Sequence, residues 1–293
     1  MTTTQPYLQF DAPRFRVAFD REPIPFSHNL SDLDLFKIES LHALAEKMAD
    51  TPCDYMVAGG APQPGTEFFA VPAVAQKPHE VIESLGSGSY RVLLKRAENY
   101  DQRYKDLVQT LFNQVMEARG GLNGEKIERL ESGILISSAA TITPFHFDPE
   151  IGFFSQIEGE KSYHVYSPTV VTEPELESFY VRGAVSIAQV DLETRDRSRE
   201  YVFSLKPGMG FHQPQNSPHW VETGNSRSIS FTFVFETDAT RAMGRTRSFN
   251  HYLRRLHWKP AVPGLNPAID NVKADAMKVI VPVRKSIGRV VGR

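Results

Sequence analysis

The segment Thr141-Ile-Thr143-Pro-Phe-His146-Phe-Asp148 places an imidazole and a carboxylate two residues apart. In an extended strand that spacing points both side chains to one face, so the pair can grip a single ion. A second histidine has to come from elsewhere in the fold. His219 is the best candidate, because it opens a run through Phe235 with strand-like alternation and many β-branched or aromatic residues. Two histidines and one carboxylate, His146, Asp148 and His219, make a facial triad that leaves about three neighbouring positions of an octahedral ion open. Such a site suits non-haem Fe(II), which must take a co-substrate and dioxygen side by side.

Other metals fit this pattern less well. Zinc enzymes can use two His and a carboxylate, but no Glu follows a ligand in a helical His-Glu-x-x-His run to serve as base. Magnesium prefers mostly oxygen ligands. A lone His-x-Asp is most simply a satisfied polar pair on a strand; it is the joint occurrence with Thr143, Lys161 and His219 that turns the reading to metal. No Ser-His-Asp order, nucleotide fingerprint or zinc-type Cys cluster competes. The turn-rich loop Gly59-Gly-Ala-Pro-Gln-Pro-Gly65 lacks the Lys-Ser/Thr ending of a phosphate-cradling loop and reads as a connector.

From His146 to Pro168 the order is His-x-Asp, then Phe153-Phe-Ser-Gln156-Ile-Glu-Gly159-Glu-Lys161, then an aromatic-rich strand ending in Pro. This order resembles the JmjC branch of the cupin-fold oxygenases, and within it the asparaginyl hydroxylases (factor inhibiting hypoxia-inducible factor). The resemblance implies an Fe(II)- and 2-oxoglutarate-dependent oxygenase in which Lys161 pairs with the distal carboxylate of 2-oxoglutarate and Thr143 hydrogen-bonds the same group. Lys206-Pro-Gly208-Met-Gly-Phe-His212-Gln-Pro214 is similar to the Pro-Gly turn, short strand and Pro that precede the distal histidine of that family, a register that favours His219 over His212. His164, of opposite strand parity to Lys161, and His212 are then structural or substrate-facing. Gly152 and Val234 stand where asparaginyl hydroxylases carry asparagines, and Met209 replaces a frequent Asp, so substrate identity is not carried over. The likeness covers roughly residues 130 to 236, with a vaguer one in Phe26-Ser-His-Asn-Leu30.

These residues need a scaffold of short strands. Strand patterns are predicted from Ile134 to Ser138, Phe153 to Ile157, Tyr163 to Tyr166, Tyr201 to Leu205, Gly210 to Gln213, His219 to Glu222 and Ser228 to Phe235. The expected fold is mainly β with flanking helices: a double-stranded β-helix (jelly-roll, cupin) barrel whose mouth lets ligands from different strands converge. Phe145, Phe147, Phe153, Phe154 and Trp220 read as core packing, and Cys53 as a buried small hydrophobe. Before the barrel, a strand is expected from Phe15 to Phe19, helices from Ser31 to Met48, Lys77 to Leu85 and Tyr100 to Ala118, and a strand from Tyr90 to Leu94. An insertion between Pro168 and Tyr201 carries a helix from Glu173 to Tyr180 and a charged loop from Asp191 to Glu200. Beyond Thr237 a helix to about Arg255 leads through a Pro-rich link to a final segment.

The expected organisation is residues 1–125 as an N-terminal flank with a loose polar start, 126–237 as the JmjC/cupin core and 238–293 as a basic helical extension. One cysteine excludes an intrachain disulfide, no leader pattern opens the chain, and no apolar run approaches the ~20 residues of a membrane span, so a soluble cytoplasmic protein is expected. The net charge of −2 hides an asymmetry, because residues 241–293 hold 12 Arg or Lys against Asp270 and Asp275. That basic block can touch an anionic partner such as nucleic acid, or dock on the acidic body of its own or a second subunit; a homodimer through the C-terminal extension is the reading taken.

The activity expected is hydroxylation of a protein side chain or small molecule, with demethylation as another outcome of the same chemistry. The rivals are a metal-binding cupin without oxygenase activity, acting as a ligand sensor or interaction scaffold, and a zinc- or manganese-dependent cupin isomerase. Both lack a use for a carboxylate-binding lysine.

Overall fold

Strand-forming residues with period-2 alternation dominate the second half of the chain, and the architecture follows from burying one side of each strand. The computed structural model describes residues 6–60, 62–67, 71, 73–182 and 191–290, the last nine by their backbone alone. The expected loose start and part of the insertion, residues 183–190, lie outside the described residues. In chain order the elements are β1 (Leu8–Gln9), α1 (Ala12–Ala18), β2 (Ile24–His28), α2 (Ile38–Met48), β3 (Tyr55–Gly59), α3 (Pro78–Glu83), β4 (Tyr90–Lys95) and α4 (Gln102–Arg119). Then come β5 (Ile127–Ser137), β6 (Ile142–His146), β7 (Ile151–Glu158), β8 (Lys161–Tyr166), α5 (Glu173–Arg182), β9 (Glu200–Leu205), β10 (Met209–Gln213), β11 (His219–Thr223) and β12 (Ser228–Thr237). Helices α6 (Asp238–Arg255) and α7 (Pro267–Val290) end the chain.

Among the described residues the strands form two antiparallel sheets, of order β1-β2-β10-β7-β12-β5-β4-β3 and β6-β11-β8-β9. The alternation of β12 shows how the large sheet divides its faces. Phe231, Phe233 and Phe235 are fully buried against the helices, with the Phe36 ring 5.1 Å from that of Phe231. Thr232 and Val234 point the other way and line a cavity between the sheets. In β4 the same parity sends Val92 and Leu94 to the helical side and Arg91, Leu93 and Lys95 to the cavity. Phe145 and Phe147 join Leu176 and Phe179 of α5 in a second apolar cluster, while Trp220 is half-buried and stacked on His164.

Three expectations change. Phe15 to Phe19 is not a strand: Asp11 caps α1 by accepting from the Arg14 amide at 3.3 Å, a proline sits in the first turn, and Val17 is 73% exposed. The long helix from Ser31 is broken into two 3₁₀ turns, Leu30–Asp32 and Asp34–Phe36, before α2 begins. Serine and two aspartates within four residues favour turns over helix. Cys53 is exposed rather than buried, its Sγ 3.6 Å from Asp54 Oδ1. Strands β1, β2 and β3, which were not expected, extend the large sheet, with β1 and β3 at its two edges.

The basic block docks on the chain's own acidic residues. Arg247 pairs with Glu173 and Arg254 with Glu177 of α5, while Arg241 reaches Glu236 at 3.1 Å. Among the described residues no helix is long and apolar enough to cross a membrane.

The β7–β8 turn sets where β8 starts, and it depends on Gly159. Its φ is +69°, and a Cβ there would lie 2.3 Å from the Arg227 carbonyl oxygen. Gly159→Ala is expected to destabilise the fold by about 2 kcal/mol, read as a melting temperature roughly 5 °C lower. An unchanged melting curve would show that this turn relaxes freely.

Candidate metal centre

His146 ends β6 and His219 opens β11, and the two residues are register partners, which brings their rings to 4.0 Å between centroids. Asp148 lies past the end of β6 in a turn held by the Asn216 amide donating to its carbonyl at 2.9 Å. Its Oδ2 sits 4.0 Å from His146 Nε2 and 3.7 Å from His219 Nε2. One ligand atom from each of the three lies within 4.8 Å of the others, a spacing that a single ion can bridge.

The other ring nitrogens are held by the backbone. His146 Nδ1 donates to the Pro144 carbonyl at 2.7 Å and His219 Nδ1 to the Ser217 carbonyl at 3.1 Å. This fixes the tautomer with the Nε2 lone pair directed at the centre, as metal-binding imidazoles require. Burial holds both histidines below their ordinary pKa, His219 well below, so both are neutral donors at neutral pH. The Tyr163 ring stacks on His219 at 5.3 Å and donates its hydroxyl to Gln213 Oε1 at 2.8 Å, and the Gln213 amide lies 3.2 Å from His219 Nδ1.

All five residues singled out in the sequence, Thr143, His146, Asp148, Lys161 and His219, line one cavity of about 380 Å³. Lys161 is only 4% exposed, opens β8, and pairs in register with Thr223. Burial, and then the charge of Arg91, pull its ammonium down to about 7. Among the described residues no carboxylate pairs with it, and its ammonium stands 5.7 Å from the centroid of the Phe154 ring. A buried cation without a counter-ion is costly unless a ligand supplies the charge.

His164 and His212 take structural places. His164 Nδ1 lies 2.9 Å from Glu200, and His212 is fully buried, stacked at 4.9 Å on Phe153, with Nδ1 donating to the Gly152 carbonyl and Nε2 accepting from the Asp20 amide. Sequence reasoning missed Arg91, Glu131 and Gln213 as cavity residues. Strand parity in Arg91-Val-Leu-Leu-Lys95 was the available signal for Arg91.

The donor set fits a borderline divalent ion such as Fe(II), since two neutral imidazoles and one carboxylate leave coordination sites free. No family model matches the chain. It is 27% identical over 143 residues to ribosomal oxygenase 2 of Mus musculus, a stretch that is 49% of this chain and 27% of that protein's length. Among solved structures, the Escherichia coli ribosomal oxygenase YcfD in complex with cobalt and 2-oxoglutarate superposes with a TM-score of 0.53 at 16% identity, over 94% of this chain and 68% of that one. An X-ray structure of YcfD gives 0.56 at 16% identity over the same shares, and its complex with cobalt and succinic acid gives 0.51 at 15%. The chain therefore has the fold of the ribosomal oxygenases, with a two-histidine, one-carboxylate cluster at one end of its central cavity.

Proposed function

We propose that the protein is an Fe(II)- and 2-oxoglutarate-dependent oxygenase. The observation that carries this reading is the meeting, in one cavity, of the His146–Asp148–His219 cluster with the buried Lys161, which no carboxylate among the described residues pairs. The two sheets are read as a jelly roll, supported by the strand orders β5-β12-β7-β10 and β6-β11-β8-β9. Solved relatives named as complexes with cobalt, 2-oxoglutarate and succinate share this fold.

His146, Asp148 and His219 would hold iron, which when bound would supply the redox chemistry for dioxygen and open positions for the keto-acid end of 2-oxoglutarate. Lys161 gives the distal carboxylate a charge-assisted partner, and Thr143 offers a hydroxyl. Leu93, Leu135, Phe154 and Val221 wall the cavity and exclude water around the reacting groups. In the overall reaction one oxygen atom enters succinate as carbon dioxide leaves, and the other enters a C–H bond of the substrate. A protein side chain is the substrate class favoured, because the relatives are named for the ribosome. The asparaginyl hydroxylase likeness rests on Thr143 and Lys161. Self-association through the C-terminal extension is supported by Leu256, Trp258 and Leu265 in the link between α6 and α7, each more than half exposed.

Anaerobic titration of the purified protein with Fe(II) and 2-oxoglutarate tests the reading. The expected result is the weak visible charge-transfer band of the chelate. Metal binding with no band would favour a metal-binding cupin without oxygenase activity.

A further inference from the structure

We propose that Arg91 is a second anchor for the distal carboxylate of 2-oxoglutarate, closing on it together with Lys161; this rests on the oxygenase reading above. Arg91 is 9% exposed and lines the cavity. Its guanidinium has no ion pair and no side-chain hydrogen bond among the described residues, and burial lowers its pKa to about 10. The guanidinium opens on the cavity, where no protein acceptor among the described residues meets its five N–H donors, and its charge adds to that of Lys161 in the same space. An anion bound between the two relieves both penalties.

The strand register places the two cations at the same end of the cavity. Arg91 pairs with Ser137, the last residue of β5. From there the chain turns through Thr141, whose hydroxyl donates to Thr223 Oγ1 at 3.0 Å, and Thr223 is the register partner of Lys161. His219 instead pairs with Val165, four residues along β8, a strand distance of about 13 Å from Lys161. The cavity thus has a metal end and a cationic end, the shape needed for a ligand that chelates at one terminus and carries a carboxylate at the other. The planar guanidinium can take that carboxylate through two parallel hydrogen bonds, a geometry an ammonium cannot supply. The acidic cavity residues do not satisfy Arg91: Asp148 belongs to the candidate metal cluster, Glu150 is paired with Arg129, and among the described residues no ion pair joins Glu131 to it.

Calorimetry under anaerobic Mn(II), with 2-oxoglutarate and with pyruvate, a keto acid that lacks the distal carboxylate, tests this on the wild type, Arg91→Gln and Arg91→Lys. Arg91→Gln is expected to bind 2-oxoglutarate roughly 10- to 100-fold more weakly, with pyruvate affinity unchanged and Arg91→Lys in between. The unliganded Arg91→Gln protein is expected to melt no lower than the wild type, since a buried unpaired charge has been removed. With the repulsion gone, the pH at which 2-oxoglutarate affinity begins to fall should move upward, which a purely structural role would not produce. Wild-type affinity in Arg91→Gln, or equal losses for the two keto acids, would overturn the role of Arg91. A wild type that binds Mn(II) but no 2-oxoglutarate would overturn the oxygenase reading and this inference together.

Discussion

His146→Ala is expected to lower the affinity for Fe(II) or Mn(II) by more than 100-fold and to abolish turnover. Loss of a residue that merely orients a ligand typically costs about 10- to 100-fold in metal affinity or activity, and loss of a ligand itself exceeds that. The reason lies in the small donor set. With only His219 Nε2 and Asp148 Oδ2 left, 3.7 Å apart, the ion keeps two protein donors instead of three. The replacement leaves a small gap at the end of β6 next to the His219 ring, so the fold should survive. Thermal unfolding with and without metal reads the same loss independently of activity. Saturation at 100 times the dissociation constant stabilises the wild type by about 2.7 kcal/mol, and this gain should vanish in the variant. A variant that binds metal as the wild type does would remove His146 from the site.

Lys161→Met is expected to weaken 2-oxoglutarate binding roughly 10- to 100-fold, the worth of a hydrogen bond to a charged group, while leaving metal affinity intact. Methionine keeps most of the side-chain volume, so the cavity wall is preserved and the charge alone is removed. The pH dependence gives the assignment a second reading. The ammonium titrates near 7 in the folded, unliganded protein, because burial and Arg91 disfavour its charged form. A carboxylate ligand needs the charged form, so wild-type affinity should be greatest below pH 7 and fall about tenfold per unit as pH rises above it. Lys161→Met should be flat across that window. The sign for stability is the opposite of the usual lysine case. Between about 7 and the ordinary lysine pKa the unfolded chain binds the extra proton, so unliganded stability rises with pH there, and the cost of burying the charge is felt in full below 7. Below pH 7, therefore, the unliganded Lys161→Met protein should melt higher than the wild type. Affinity that ignores both pH and this substitution would place the co-substrate carboxylate elsewhere.

Much of the centre was legible because strand periodicity is a local property. His219 opens a strand read from alternation, His146 ends one that was assumed only from its spacing to Asp148, and the boundaries of β10, β11 and α6 differ from the expected ones by a residue or less. The illegible parts share a cause. The apparent alternation Phe15, Val17, Phe19 mimics a strand, yet a side-chain cap at Asp11 and an early proline nucleate a helix, and only Phe15 is buried at 0%. Asp148 shares a face with His146 in an extended chain, but the strand stops at His146, and the carboxylate reaches the centre through a turn pinned by Asn216.

The sequence by itself determined the chemical inventory: two imidazoles, a carboxylate, a lysine and a threonine at spacings that strands convert into shared faces, and a basic segment following an acidic body. Tertiary structure decided which charges are answered. The basic helix α6 finds partners in Glu173 and Glu177, residues more than seventy positions away, so those arginines are spent on docking the extension. Lys161 and Arg91, on strands of different sheets, meet no carboxylate among the described residues. Hydrogen-bond and charge matching depend on groups brought together across the whole chain, whereas periodicity depends only on neighbours. That difference is why the candidate ligands and Lys161 could be picked out from the chain, whereas Arg91 beside them in the cavity could not.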